Sequence, residues 1–90
     1  MSRTIRQSTK FRRDIKRLKR QQKDLAKLKT VITLLAAQKP LTAQHRDHTL
    51  TGNWKGFREC HIQPDWLLIY RVEGDELQLT RTGSHAELFR

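Results

Sequence analysis

This 90-residue chain is short of two things: cysteine, with Cys60 alone, and acids, with nine Asp and Glu against nineteen Lys and Arg. One thiol cannot support a disulfide framework. No stretch approaches the ~20 apolar residues that a membrane-spanning helix requires. The opening Met1-Ser2-Arg3-Thr4-Ile5-Arg6 has neither an apolar h-region nor a small-residue cleavage site, so a cytoplasmic protein is expected, with no membrane partner. A Gly-rich phosphate loop, a Walker motif and a GxSxG elbow are also missing, as are internal repeats and low-complexity tracts. Apolar residues make up 36% of the chain, enough for one modest core, and a single domain over residues 1–90 is expected.

What is present is positive charge, unevenly placed. Residues 1–30 hold twelve basic side chains and two acids, Asp14 and Asp24, whereas residues 31–90 hold seven of each. The whole surplus of +10 therefore sits in the first third. All four histidines, His45, His48, His61 and His85, lie in the other two thirds. Groups that attract polyanions are thus segregated from groups that exchange protons near neutral pH. Nucleic acid is the commonest target of such a surplus, and an acidic protein segment the next.

Periodicity predicts a strand over residues 3–7 and then a helix capped by Ser8 or Thr9. Phe11, Ile15 and Leu18 form its apolar stripe, and basic residues take its other faces. Asp24 caps a second helix, on which Leu25, Leu28, Ile32 and Leu35 repeat at helical spacing until Lys39-Pro40 ends it. The two read as a helical hairpin. Residues 40–54 read as an irregular loop. Period-two runs then follow at 55–62, 66–72 and 76–82, an antiparallel meander with turns at Gln63-Pro64-Asp65 and Glu73-Gly74-Asp75. Ser84 can cap a final helical turn. The expected architecture is α+β, in the order strand, helix, helix, strand, strand, strand, with the helices on one sheet face and the other partly open. Alternation leaves undecided which side-chain set of each strand is buried.

Cys60 and His61 are adjacent on a strand and so project to opposite faces, which excludes a thiolate–imidazolium pair. His45 and His48 have i, i+3 spacing, but no second ligand knuckle accompanies them, and no metal is expected. Acid–base work on a polyanion remains. His48 in the loop, His61 near a strand end, Asp65 at a turn and His85 after the last strand can converge. Metal-free RNA cleavage needs a base for the ribose 2′-hydroxyl, an acid for the departing 5′-oxygen, and a cation for the phosphorane-like transition state. Two imidazoles with Arg81 or Arg58 would meet those needs, and Trp66 and Phe89 offer surfaces for base stacking. A non-catalytic basic nucleic-acid-binding regulator is the competing reading. It is weakened because the hairpin lacks a Gly-containing turn and a base-reading Asn or Gln cluster on its second helix.

Three blocks carry a family resemblance: Asp47-His48-Thr49-Leu50-Thr51-Gly52-Asn53-Trp54, His61-Ile62-Gln63-Pro64-Asp65-Trp66, and Arg81-Thr82-Gly83-Ser84-His85-Ala86-Glu87-Leu88-Phe89. In combination they resemble the YafQ branch of the RelE-type bacterial toxins, over nearly the whole chain. The resemblance implies a single compact microbial ribonuclease-like α+β domain. It also implies an mRNA endoribonuclease acting on message in the ribosomal A site, silenced by a cognate acidic antitoxin and touching operator DNA only through the antitoxin complex. Carried over by motif, His48, His61, Asp65 and His85 are the catalytic positions, with His48 as base and His85 as acid. Trp66 and Phe89 would flank the site, Arg81 would contact phosphate, and the basic hairpin would lie against ribosomal RNA. No cofactor is implied.

Overall fold

The computed structural model describes residues 2–89. Strand β1 (Thr4–Gln7) leads into helices α1 (Thr9–Arg20) and α2 (Leu25–Ala36). Strands β2 (His48–Thr49), β3 (Arg58–Gln63), β4 (Trp66–Glu73) and β5 (Glu76–Gly83) follow, and a one-turn helix α3 (His85–Leu88) closes the chain. The sheet order is β1-β5-β4-β3-β2, with β1 parallel to β5 and every other pair antiparallel. The segment read as an irregular loop is more ordered than expected. It holds β2 between two single 3₁₀ turns, Ala43–His45 and Gly52–Trp54, and β2 extends the sheet to five strands by pairing His48 with Glu59. A two-residue strand has too little pattern to announce itself; its partner β3 defines it.

The helix boundaries follow from capping. Ser8 Oγ accepts from Phe11 N at 2.9 Å and donates to Thr80 O at 2.7 Å, which fastens the start of α1 to β5. Asp24 Oδ1 accepts from Ala26 N at 3.1 Å. Each helix ends on a glutamine in the left-handed region, Gln22 (φ 59°) and Gln38 (φ 60°). Lys23 N–H reaches Leu18 O, and Lys39 N–H reaches Leu34 O, so the last carbonyls are satisfied in the Schellman manner without a glycine. Arg3 donates from its side chain to Leu35 O at 2.7 Å, placing a cation on the negative end of α2.

The structure settles which strand faces are buried. Cys60, Trp66, Leu68, Tyr70, Leu77 and Leu79 point under the helices and pack with Phe11, Leu18, Leu28, Val31 and Leu35. On the opposite face Leu67, Ile69 and Leu88 form a second small cluster, edged by Leu50, Trp54 and Phe57, so that face is only partly open. Strict alternation fails on β5. The register shifts so that Tyr70 pairs with Leu79 but Ile69 with Arg81, leaving Thr80 as an inserted residue. Beyond the bulge, Thr82 is fully buried and bonds the indole Nε1–H of Trp66 at 2.9 Å.

A buried charge cluster ties α1 to β5. Asp14, 2% exposed, receives Arg17 Nη1 at 2.8 Å, Arg81 Nε at 2.8 Å and Nη2 at 3.1 Å, and Thr82 N at 3.0 Å. Burial pushes its pKa up, but the bonds from Arg81, Thr82 and Arg17 outweigh it and hold the carboxyl below its ordinary value. Arg17 also reaches Thr82 O and, through Nε, Glu87 Oε2 at 2.9 Å. It is therefore a structural cation and not part of the free basic face. Lys10, Arg12, Arg13, Lys16, Lys19 and Arg20 do stand exposed.

Candidate active site

The half-covered sheet face places three imidazoles around one carboxylate. Glu59 and His61 share a face of β3 because they are two residues apart. The β2–β3 pairing puts His48 opposite Glu59. His85 arrives from the other side, as the first residue of α3. A capping box in which Ser84 and Glu87 exchange side-chain-to-backbone bonds of 2.9 and 3.2 Å sets that helical turn. Glu59 is 5% exposed, and its oxygens lie 3.6 Å from His48 Nε2, 3.7 Å from His61 Nε2 and 3.8 Å from His85 Nε2. Ring centroids run in sequence, 6.5 Å from His48 to His61 and 6.0 Å from His61 to His85.

The outer two histidines are oriented by their second nitrogens. His48 Nδ1 lies 2.6 Å from Arg46 O, and a carbonyl only accepts, so Nδ1 carries a proton and Nε2 is left facing Glu59. His85 Nδ1 lies 3.0 Å from Asp65 Oδ1, and the same oxygen takes His85 N–H at 3.1 Å. The hydrogen bonds from the side chain and backbone of His85 hold the Asp65 carboxyl below the usual range, so it accepts as a carboxylate. His48 is thus fixed by a neutral dipole and His85 by an anion. Behind His48, Asp47 accepts from Tyr70 Oη at 2.5 Å and pairs with Arg58 Nη2 at 3.2 Å, which anchors the loop that carries the histidine. Burial and the Asp47 bond push the Tyr70 phenol far up, so it stays a donor.

The expected convergence of His48, His61, Asp65 and His85 is therefore present in the geometry. Phe89 also stands where expected, 40% exposed with its ring 6.1 Å from that of His85. Two other expectations need correction. Trp66, 2% exposed, points into the helix-side core and spends its indole N–H on Thr82, so it presents no face to a base. Arg81 is bound through Nε and Nη2 to Asp14 of α1, so it is not placed as a phosphate contact. Arg58 is likewise committed to Asp47 and Tyr70. The aromatic beside Phe89 is Trp54, at 6.1 Å between centroids, with Phe57 5.5 Å beyond it. Glu59 was missed as a site residue although its alternation with His61 was visible; the signal was a carboxylate on the same strand face as a candidate imidazole. Cys60, on the opposite face, is fully buried, and burial pushes its thiol up to about 12, the condition of an inert core residue.

The fold is thus a small α+β domain with a cationic helical layer on one side of its sheet and an oriented imidazole–carboxylate cluster on the other. The family model describing the "Bacterial toxin of type II toxin-antitoxin system, YafQ" matches residues 3–90. The chain is 43% identical over 90 residues to the mRNA interferase toxin YafQ of Escherichia coli K12, covering 99% of this chain and 98% of that protein. It superposes with a TM-score of 0.93 on the crystal structure of YafQ from E. coli BL21(DE3), at 43% identity over 98% of this chain and 99% of that one. Against the crystal structure of the E. coli DinJ–YafQ toxin–antitoxin complex the TM-score is 0.91, at 43% identity over the whole of both chains. The chain belongs to the YafQ family of toxins of type II toxin–antitoxin systems. No helix among the described residues is long and apolar enough to cross a membrane.

Proposed function

We propose that this chain is a ribosome-dependent mRNA endoribonuclease that cuts message in the A site and so inhibits translation. The observation that carries the reading is the opposed pinning of His48 and His85, which presents two Nε2 atoms on either side of Glu59, with His61 between the rings. His48, held by a carbonyl, keeps a neutral lone pair at Nε2 and takes the proton of the ribose 2′-hydroxyl. The 2′-oxygen then attacks the adjacent phosphorus. His85, held through Nδ1 by the Asp65 carboxylate, gives its Nε2 proton to the departing 5′-oxygen. The products are a 2′,3′-cyclic phosphate and a 5′-hydroxyl. With Arg81 and Arg58 committed elsewhere, His61 between the two is the group that steadies the phosphorane oxygens, and Glu59, 3.6–3.8 Å from the Nε2 of each ring, positions all three.

The partners follow from charge. The exposed cations of α1 and α2 suit ribosomal RNA, and an acidic antitoxin segment that orders on binding would cover the toxin. The relative solved with DinJ supports the antitoxin partnership. In this reading operator DNA is met only through such a complex. A bacterial cytoplasmic location accords with message as substrate. Primer extension on a reporter mRNA after brief induction tests the nuclease. Wild type should give in-frame cuts that need translation, and His85→Ala none. An intact message under wild-type induction would refute it.

A further inference from the structure

His61 borders two spaces. One is the imidazole cluster. The other is a cleft of about 470 Å³ at the end of β3, where Lys27 of α2 and Gln44, His45 and Arg46 of the 3₁₀ segment face His61 and Gln63. Its volume falls among small-ligand sites, about 300–1,000 Å³. Its chemistry suits a nucleotide: two exposed cations for phosphate, two amides that each donate and accept, and two imidazoles. His45 is held in place through Nδ1, 3.0 Å from Thr42 Oγ1, and no described residue engages its Nε2.

On its 3₁₀ wall the cleft adjoins the segment that carries His48, since Arg46, which lines it, is the residue whose carbonyl orients that ring; Gln63 and Pro64 form the other wall. The opposite end of the cluster, beyond His85, is aromatic, with Phe89 and then Trp54. The two sides of the cut therefore meet different chemistry, a hydrogen-bonding pocket on one and a stacking surface on the other. We infer that the cleft is the subsite for the nucleotide on the 5′ side of the cut, its base read by His45 and the Gln44 and Gln63 amides, its phosphate drawn by Lys27 and Arg46. This assignment rests on His48 acting as the base, since that nucleotide supplies the attacking 2′-hydroxyl. A pocket that hydrogen-bonds a base rejects one with mismatched donors far more strongly than a stacking surface does.

The test is the double variant Gln44→Ala, His45→Ala beside wild type, with the 5′-hydroxyl ends of cellular message sequenced after brief induction. Both positions are partly or fully exposed, so matching thermal melts should show the fold retained. The base preference immediately 5′ of the cut should flatten by about tenfold, with the 3′ preference unchanged. An unaltered profile, or a change confined to the 3′ side, overturns the assignment. A second arm separates it from the nuclease reading: NMR titration of wild type with an uncleavable 2′-O-methyl RNA trinucleotide. Shifts at the side chains of Gln44, His45 and Gln63 support the subsite even if no message is cut, and shifts only elsewhere overturn it.

Discussion

Replacing Asp14 should destabilise this fold more than any other single polar change in α1, and the structure gives the size. The carboxylate is 2% exposed and receives four bonds, three from guanidinium groups and one from a backbone N–H. Asp14→Ala leaves Arg17 and Arg81 as cations at the helix–sheet interface with their anion removed. It also strands the buried Thr82 amide. Loss of one partner in such a buried cluster costs about 3–5 kcal/mol. A domain of this size holds only about 5–13 kcal/mol in all. With a urea slope of about 2 kcal/mol per molar, the unfolding midpoint should fall by about 2 M. Asp14→Asn keeps the shape and removes the charge, so it isolates the ionic part through pH. The folded carboxyl titrates below its unfolded value of 3.8, so its stabilisation is complete above that pH and disappears as pH falls through the lower folded value. Urea melts of wild type and Asp14→Asn across that range should therefore converge on acidification. A loss under 1 kcal/mol for Asp14→Ala, or a wild-type advantage that does not shrink in acid, would refute the reasoning.

Other outcomes follow from the same geometry. Glu59→Gln should lower message cleavage about 10- to 100-fold while thermal unfolding shifts little, since it removes charge beside three imidazoles without changing volume; cleavage assays on translating extracts together with thermal melts will show it. Trp66→Ala should cost about 3–5 kcal/mol in urea unfolding, whereas Phe89→Ala should leave stability nearly intact and depress cleavage, the opposite of two equivalent stacking residues. Gln22→Gly should raise stability by roughly 0.5–1 kcal/mol, because glycine takes a φ of 59° without the Cβ strain; differential scanning calorimetry measures it.

The helices, the meander and the capping residues were legible because each depends on neighbours three or four positions away. Ser8, Asp24 and Ser84 cap as their sequence contexts suggest, and the Phe11–Leu18 stripe is buried as its spacing requires. The convergence of His48, His61, Asp65 and His85 was legible through the family blocks and their placement at chain turns. Trp66 and Arg81 were misjudged because each meets a partner that lies far away in the chain: Trp66 gives its indole N–H to Thr82 in the core, and Arg81 is taken by Asp14 of α1. Asp14 carried no warning either, because an acid on a basic helix looks solvated until its partner arrives from β5, 67 residues away.

Sequence by itself determined the order of the helices and the longer strands, the segregation of cations from histidines and the chemistry on offer, since composition, periodicity and capping act over a few residues. Tertiary structure alone decided which strand faces are buried, that Glu59 stands among three imidazoles, and that Asp14 consumes Arg17 and Arg81. Those outcomes turn on register and on burial between segments distant in the chain, where a one-residue shift sends a side chain to the other face.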